Sequence, residues 1–171
     1  MTAMVTRVIS GGQTGADQGA LAAATVLDIE TSGHAPKGWL TEAGPQQVLL
    51  QGLGLTECPF GRTPSEAYRM RAAENVRDSD GTLLIGDMSS PGCRLTRAAC
   101  EAHRKPHLVV AVPNAARWKT DATIISTVRQ WLEDNKIAVL NVAGNRESRN
   151  SGIHRATRQL LLCVLHASRR N

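Results

Sequence analysis

"VISGGQTGADQGALAAATVLDI", residues 8–29, decides the fold. A β-branched run at Val8-Ile9 meets the polar glycine turn Gly11-Gly12-Gln13-Thr14-Gly15, and an alanine-rich helical segment follows without a break. A strand handed to a helix through a glycine turn is the first half of a β-α-β unit, whose strands pair in parallel. Glycine loses backbone entropy in such a turn and packs nothing, so something requires the bare backbone. Gly11 and Gly12 are expected to permit the tight turn. Gly15 is expected to leave room for a ligand at the helix N-terminus, whose free amides favour an anion.

The same alternation continues outward. Strand-like apolar runs lie at Val5–Ser10, Gly81–Gly86, His107–Val112 and Ala138–Ala143, with a shorter candidate at Gly54–Thr56. Helical periodicity fits Asp17–Leu27, Ser65–Val76, Leu95–Arg104, Asp121–Asn135 and Ile153–Ser168, and Ile153, Ala156, Leu160, Leu161, Val164 and Leu165 share one face of the last. Helix starts are marked by Thr63-Pro64 with Glu66, by Thr120 before Asp121 and by Ser151-Gly152 before Ile153. Strands alternating with helices predict an α/β fold: a Rossmann-like three-layer sandwich, with a mainly parallel sheet and helices on both faces. The Gly- and Pro-rich stretch Thr31–Gly61 is expected to cross the carboxyl edge as an irregular loop.

The 171 residues are enough for a single domain over 1–171 with its own core. No stretch approaches the roughly 20 apolar residues of a membrane span, and the opening "MTAMVTRVIS" lacks the apolar core of a signal peptide. A cytoplasmic protein without membrane contact is the expectation. Cys58, Cys93, Cys100 and Cys163 form no Cys-x-x-Cys pair and have no His at ligand spacing, so neither disulfides nor a metal site is expected. The net charge is +5, and from Arg146 onward Arg149, Arg155, Arg158, Arg169 and Arg170 face the single acid Glu147. Such an end suits an anionic small molecule or a solvated helix face. With one Phe and one Tyr, the stacking platforms of single-strand binders are missing, and nucleic acid is not the expected partner.

In a doubly wound sheet the loops from strand to helix gather at the carboxyl edge, where ligands bind. Four such loops are "GGQTGAD" (11–17), "DMSSPGCRLT" (87–96), "VPNAARWKTD" (112–121) and "AGNRESRNSG" (143–152). The first is neither Gly-x-Gly-x-x-Gly nor a Walker loop, and no Gly-Lys-Ser/Thr occurs, which argues against ATP hydrolysis of that type. A glycine turn alone is also compatible with a plain tight connection; a second glycine loop on the same edge favours a ligand.

"ISGGQTGADQGAL", "PKGW", "NVRDSDGTLLI" and "AGNRESRNSGI", in this order and spacing, resemble the molybdenum carrier-like family, relatives of the molybdenum cofactor carrier protein within the SLOG superfamily of Rossmann-like nucleotide-binding domains. The resemblance runs from about Val8 to Ile153. It implies a homo-oligomer, dimer or tetramer, and a phosphate-bearing ligand, with molybdenum cofactor (molybdopterin) or a nucleotide as the candidates. Gly11, Gly12, Gln13, Thr14 and Gly15 match its first ligand loop, and Asp17 the acid that opens the helix, where an Asp also simply suits the macrodipole. Lys37 matches a lysine that supplies charge to the site or sits solvated on its loop, and Glu42 a loop-ordering residue. "NVRDSDGT" reads as turn chemistry that guides the central strand into the sheet.

Ser89, Ser90, Gly92, Arg94 and Thr96 fall in the second glycine loop, where the sequence departs from the family. Pro91 and Cys93 stand where the family has a glycine and a threonine, removing an amide and a hydroxyl donor. Arg94 brings a guanidinium suited to a planar grip on an anion, and is expected to bind. Arg146 and Ser148 match a run on the same edge and are expected to add a cation and a hydroxyl. No catalytic residue is assigned. Phosphoribohydrolases of the superfamily carry a glutamate after their glycine loop; Glu101 comes two residues late for it, a shift of about 200° on a helix. The expected function is therefore a non-catalytic binding or carrier protein, with a nucleotide N-glycosidic hydrolase or a nucleotide sensor as the alternatives.

Overall fold

The computed structural model describes residues 5–166. In chain order the elements are β1 (Arg7–Ile9), α1 (Ala16–Val26), β2 (Glu30–Ala35), a 3-10 turn (Lys37–Trp39), β3 (Leu40–Thr41), β4 (Gly44–Pro45), α2 (Gln47–Gly52), β5 (Leu55–Glu57), α3 (Pro64–Arg77), β6 (Gly81–Gly86), α4 (Pro91–Ala102), β7 (His107–Ala111), α5 (Ala122–Asp134), β8 (Val139–Gly144) and α6 (Ile153–His166). Six strands form one sheet in the order β5-β2-β1-β8-β6-β7, and every pairing in it is parallel. Short β3 and β4 pair antiparallel as a separate hairpin.

The crossovers between parallel strands place α1, α5 and α6 together on one face and α3 with α4 on the other. The main core fills the first face. Ala16, Ala20, Ala23 and Ala24 of α1 pack with Leu160, Leu161 and Val164 of α6 over Val8, Leu83, Ile85, Leu140 and Val142. Small side chains are what that packing needs: a Cβ on Gly19 would stand 2.4 Å from the His154 carbonyl oxygen. All six positions of β6 are buried, as a continuous apolar run covered on both faces requires.

Region 31–61 is not the irregular loop expected from its composition. It holds β2, the hairpin, α2 and β5, organised by a second core of Leu21, Ala35, Trp39, Leu50 and Leu55. β2, "ETSGHA", shows no apolar run because Glu30, Ser32 and His34 form a partly exposed polar face. Asn75 of α3 anchors it, accepting from the His34 N–H at 2.8 Å and donating to the His34 carbonyl at 3.1 Å.

Other boundaries move by a few residues. α4 begins at Pro91, four residues before the expected start, capped by Ser90, whose Oγ accepts from the Cys93 N–H at 3.3 Å. Asp121 caps α5 instead of Thr120, accepting from Ile124 N–H at 2.8 Å. Thr63 caps α3 as expected. Ala167, Ser168, Arg169 and Arg170 lie outside the described residues. Among the described residues no helix is long and apolar enough to cross a membrane.

The "NVRDSDGT" motif seats the central strands. The Asp80 carboxylate accepts from the N–H groups of Ala138 and Val139, at 3.0 and 2.7 Å, where β8 enters beside β6. Asp80→Ala leaves two amides at an exposed strand entry to water in place of their acceptor, a loss of about 0.5–1.5 kcal/mol. Urea unfolding should show that loss with an unchanged m value; an unaltered midpoint would contradict this role for Asp80.

Candidate functional site

β8 and β6 are neighbours in the sheet, yet the chain leaves β8 for α6 on one face and β6 for α4 on the other. Such a switch point opens a crevice at the carboxyl edge. A cavity of about 670 Å³ lies there, with Asn141, Ala143 and Gly144 of β8 at its floor. Tyr68, Arg71 and Ala72 form the α3 wall, and Pro91, Gly92, Leu95 and Thr96 the α4 wall. Its volume falls in the range of small-molecule sites.

Asn145, buried just after β8, holds the rim together. Its Oδ1 accepts from Asp87 N–H (2.6 Å) and Asn150 Nδ2 (3.1 Å), while its Nδ2 donates to the Asp87 carbonyl (3.0 Å) and Ser90 Oγ (3.1 Å). Its own carbonyl accepts from Ala16 N–H at the start of α1, at 3.0 Å. Asn150 extends the network to the loop after β7, accepting from Ala115 N–H and donating to the Val112 carbonyl. With both Ser90 lone pairs taken, that hydroxyl can act on a ligand only as a donor.

The first glycine loop answers the question raised by its composition. A Cβ on Gly11 would fall 1.7 Å from Arg71 Nη1; the bare backbone is where the guanidinium lies. Arg71 pairs with Asp17 at 3.1 Å, and its Nε has no hydrogen-bond partner. Burial pushes the Asp17 carboxyl up, and the Arg71 charge with the Gln13 and Gly11 amides only partly offsets this. Gly15, at φ +85°, does not leave room for a ligand as expected: a Cβ there would meet the Asn145 carbonyl oxygen at 2.4 Å and the Glu147 nitrogen at 2.7 Å. Its space is filled by the loop after β8. Gly12 is similarly packed, against Leu50 and Leu55.

Glu42, on the hairpin, ties the rim loops. Its carboxylate accepts from the hydroxyls of Thr14 and Ser148 and from the Ser148 N–H, while its own N–H donates to Gln13 Oε1 at 2.9 Å. Burial works against its ionised form, but the Ser148 and Thr14 hydrogen bonds and the Arg146 charge prevail, holding the carboxyl below its ordinary range. The Thr14 and Ser148 hydroxyls, expected to meet a ligand, are thus engaged by Glu42. Glu147 caps α6, accepting from the Gly152 and His154 N–H groups.

Of the expected site residues, Gly11, Gln13, Asp17, Ser90, Gly92, Thr96, Arg146 and Ser148 line the cavity. Thr14 and Gly15 line a shallow groove on the far side of Glu42, beside His154 and Arg155. Lys37 and Ser89 are exposed and line neither. Arg94 is exposed as well. With α4 starting at Pro91, Arg94 points about 130° from the mean direction of Pro91, Gly92, Leu95 and Thr96, so the cavity's cations are Arg71, Arg146 and Arg149 instead. Arg149 approaches Asp87 at 3.7 Å. Arg149 belongs to the basic run that the sequence marks as suited to an anion; Tyr68, Arg71, Asn141 and Asn145 carry no such mark, although the one tyrosine and an arginine one turn later on α3 are a signal. Elsewhere, His34, Glu74 and Asp78 offer three ligand atoms within 4.8 Å, but Arg77 pairs with both carboxylates, at 2.6 and 2.8 Å.

The model of the circularly permutated YpsA SLOG family matches residues 8–165. A crystal structure described as a "putative molybdenum carrier protein" from Syntrophus aciditrophicus SB is 35% identical, with a TM-score of 0.78 over 94% of this chain and 95% of that one. No curated protein matches.

The Glu42 ties carry a pH signature. A carboxyl lowered on folding contributes stability above its unfolded value and loses it as pH falls through the folded one. Glu42→Gln should therefore melt below the wild type at neutral pH, with the two curves converging as pH drops below 4.5. A gap that persisted unchanged in acid would show that the carboxylate charge is not what orders the rim.

Proposed function

The chain belongs to the circularly permuted YpsA family of SLOG domains, and on that premise we propose that it is a non-catalytic binding or carrier protein for a phosphate-bearing small molecule held in the carboxyl-edge cavity. Molybdenum cofactor, a pterin with a terminal phosphate, and a nucleotide are the two candidate cargoes. The observation that carries this reading is the charge balance of the lining: Arg71, Arg146 and Arg149 stand against one carboxylate, Asp17, already ion-paired. The Gly92 amide, at the N-terminus of α4, and the Ser90 hydroxyl add donors on the same side.

The carboxylates favour binding over bond cleavage. Asp17 is buried and held by Arg71 and two backbone amides, an arrangement that positions a cation and does not present a free base. Glu101, the counterpart of the hydrolase glutamate, is exposed in the last turn of α4, 3.4 Å from Arg97 and off the cavity lining.

Gly92→Asp separates fold from binding. No atom lies within 4 Å of a Cβ built on Gly92, and an acid in the first helical turn suits the macrodipole. The variant should melt no lower than wild type. Calorimetric titration with nucleoside monophosphates and a phosphorylated pterin should show at least one ligand bound by wild type and weakened more than about tenfold in the variant, as expected when a carboxylate opposes a charge-assisted hydrogen bond to phosphate. Equal affinity in both proteins, or release of free base by the wild type, would contradict the carrier reading.

A further inference from the structure

We infer that the cavity is sided: its rim takes the phosphate, and its deep end reads the edge of an uncharged heterocycle through Asn141. The inference rests on the binding function proposed above and names the part of the cargo that the deep end recognises.

α3 and α4 both run down from the carboxyl edge, so depth can be counted along them. Asn141 lies three residues below Gly144 on β8, about 10 Å from the edge. Ala72 lies eight residues into α3, about 12 Å down, and Leu95 about 6 Å down α4. The three arginine side chains come from the rim loops or from α3 above Ala72, and Gly92 and Ser90 are at the top of α4. The Arg71 guanidinium itself lies against Gly11, beyond the end of β1, so around Asn141 the walls are uncharged: Ala72, Ala143 and Leu95 are apolar, and Thr96 and Asn75 are neutral.

At the floor between these walls stands a polar side chain, only 2% exposed in the middle of a buried sheet. The Asn141 Nδ2 donates to Thr82 Oγ1 at 3.1 Å, and the Thr82 hydroxyl also contacts the Cys100 thiol. This tether turns the amide nitrogen toward β6. Among the described residues no hydrogen bond engages the Asn141 side-chain carbonyl oxygen, and since the side chain lines the cavity, that acceptor is open to a donor from a bound molecule. A ring N–H or exocyclic amine supplies that donor while its ring covers Ala72, Ala143 and Leu95; the methylenes of a lipid bring no donor, and a bare sugar phosphate brings no apolar ring for those walls. The class is a phosphorylated, amine- or N–H-bearing heterocycle.

The test compares adenosine, guanosine, cytidine and uridine 5′-monophosphates, a phosphorylated pterin and ribose 5-phosphate on wild type, Asn141→Leu and Thr82→Val by calorimetric titration. Wild type should bind at least one ring-bearing ligand about tenfold or more above ribose 5-phosphate. Asn141→Leu should lose that margin with ribose 5-phosphate unchanged, and Thr82→Val, which frees the amide to turn, should narrow it. Should Asn141→Leu fail to fold, the near-isosteric Thr82→Val decides alone. Ribose 5-phosphate bound as well as every ring-bearing ligand, or a margin untouched in the variants, would overturn the role of Asn141 and leave the carrier function standing. Binding of none of the six ligands would overturn the carrier function and this inference with it.

Discussion

The side-chain amide of Asn145 is the group on which the carboxyl edge depends. Four loops converge there because the last strand is inserted between the first strand and β6, and loops carry backbone groups with no ladder to satisfy them. A buried amide offers two donors and an acceptor with two lone pairs. Asn145 uses them on the loop after β6, the cap of α4 and Asn150, while its main-chain carbonyl holds the start of α1. A fully satisfied buried network of this kind rigidifies its surroundings. The rim is therefore organised before any ligand arrives, which lowers the ordering cost of binding.

The topology explains why the edge has this form. β8 comes last in the chain but lies in the middle of the sheet, beside β1. Were β8 and α6 placed ahead of β1, the strands β8, β1, β2 and β5 would run outward in chain order, an arrangement that fits a family described as circularly permutated. In the order found here, "GGQTGAD" and "AGNRES" are separated by most of the chain yet pack backbone to backbone. The glycines of the first loop serve that packing and the Arg71 guanidinium. Their bare backbone makes room for protein atoms, and the open cavity lies beside them, between α3 and α4.

What could be read from the sequence follows from these forces. Gly81–Gly86 was legible to the residue, because a strand buried on both faces has to be an unbroken apolar run. β2 was not, because its polar face looks onto a half-open side of the sheet and "ETSGHA" carries no periodic signal. Arg94 lies off the cavity lining for a single reason: Pro91-Gly92 reads as loop, whereas Pro and Gly here occupy the first turn of a helix, and a start four residues earlier changes which face each side chain takes. Asn145 and Asn150 are silent in the sequence beside Arg146 and Ser148, since an Asn near a glycine reads as turn chemistry and its long-range partners are set only by the fold. Arg71 belongs to a helix whose many charges resemble a solvated face; Gly11 and Asp17, 60 and 54 positions earlier in the chain, show where it lies.

Whether the crevice between α3 and α4 holds a phosphate-bearing ligand can be read by amide chemical-shift mapping during titration with a nucleoside monophosphate and, separately, a phosphorylated pterin. Saturable shifts should be confined to Gly11, Arg71, Ser90, Gly92, Asn141 and Arg149, with little change around Arg7 of β1, His34 of β2 and its partner Asp78 at the end of α3. Shifts centred on Arg7, His34 and Asp78, or on Thr14 and His154 in the shallow groove, would contradict binding in the crevice.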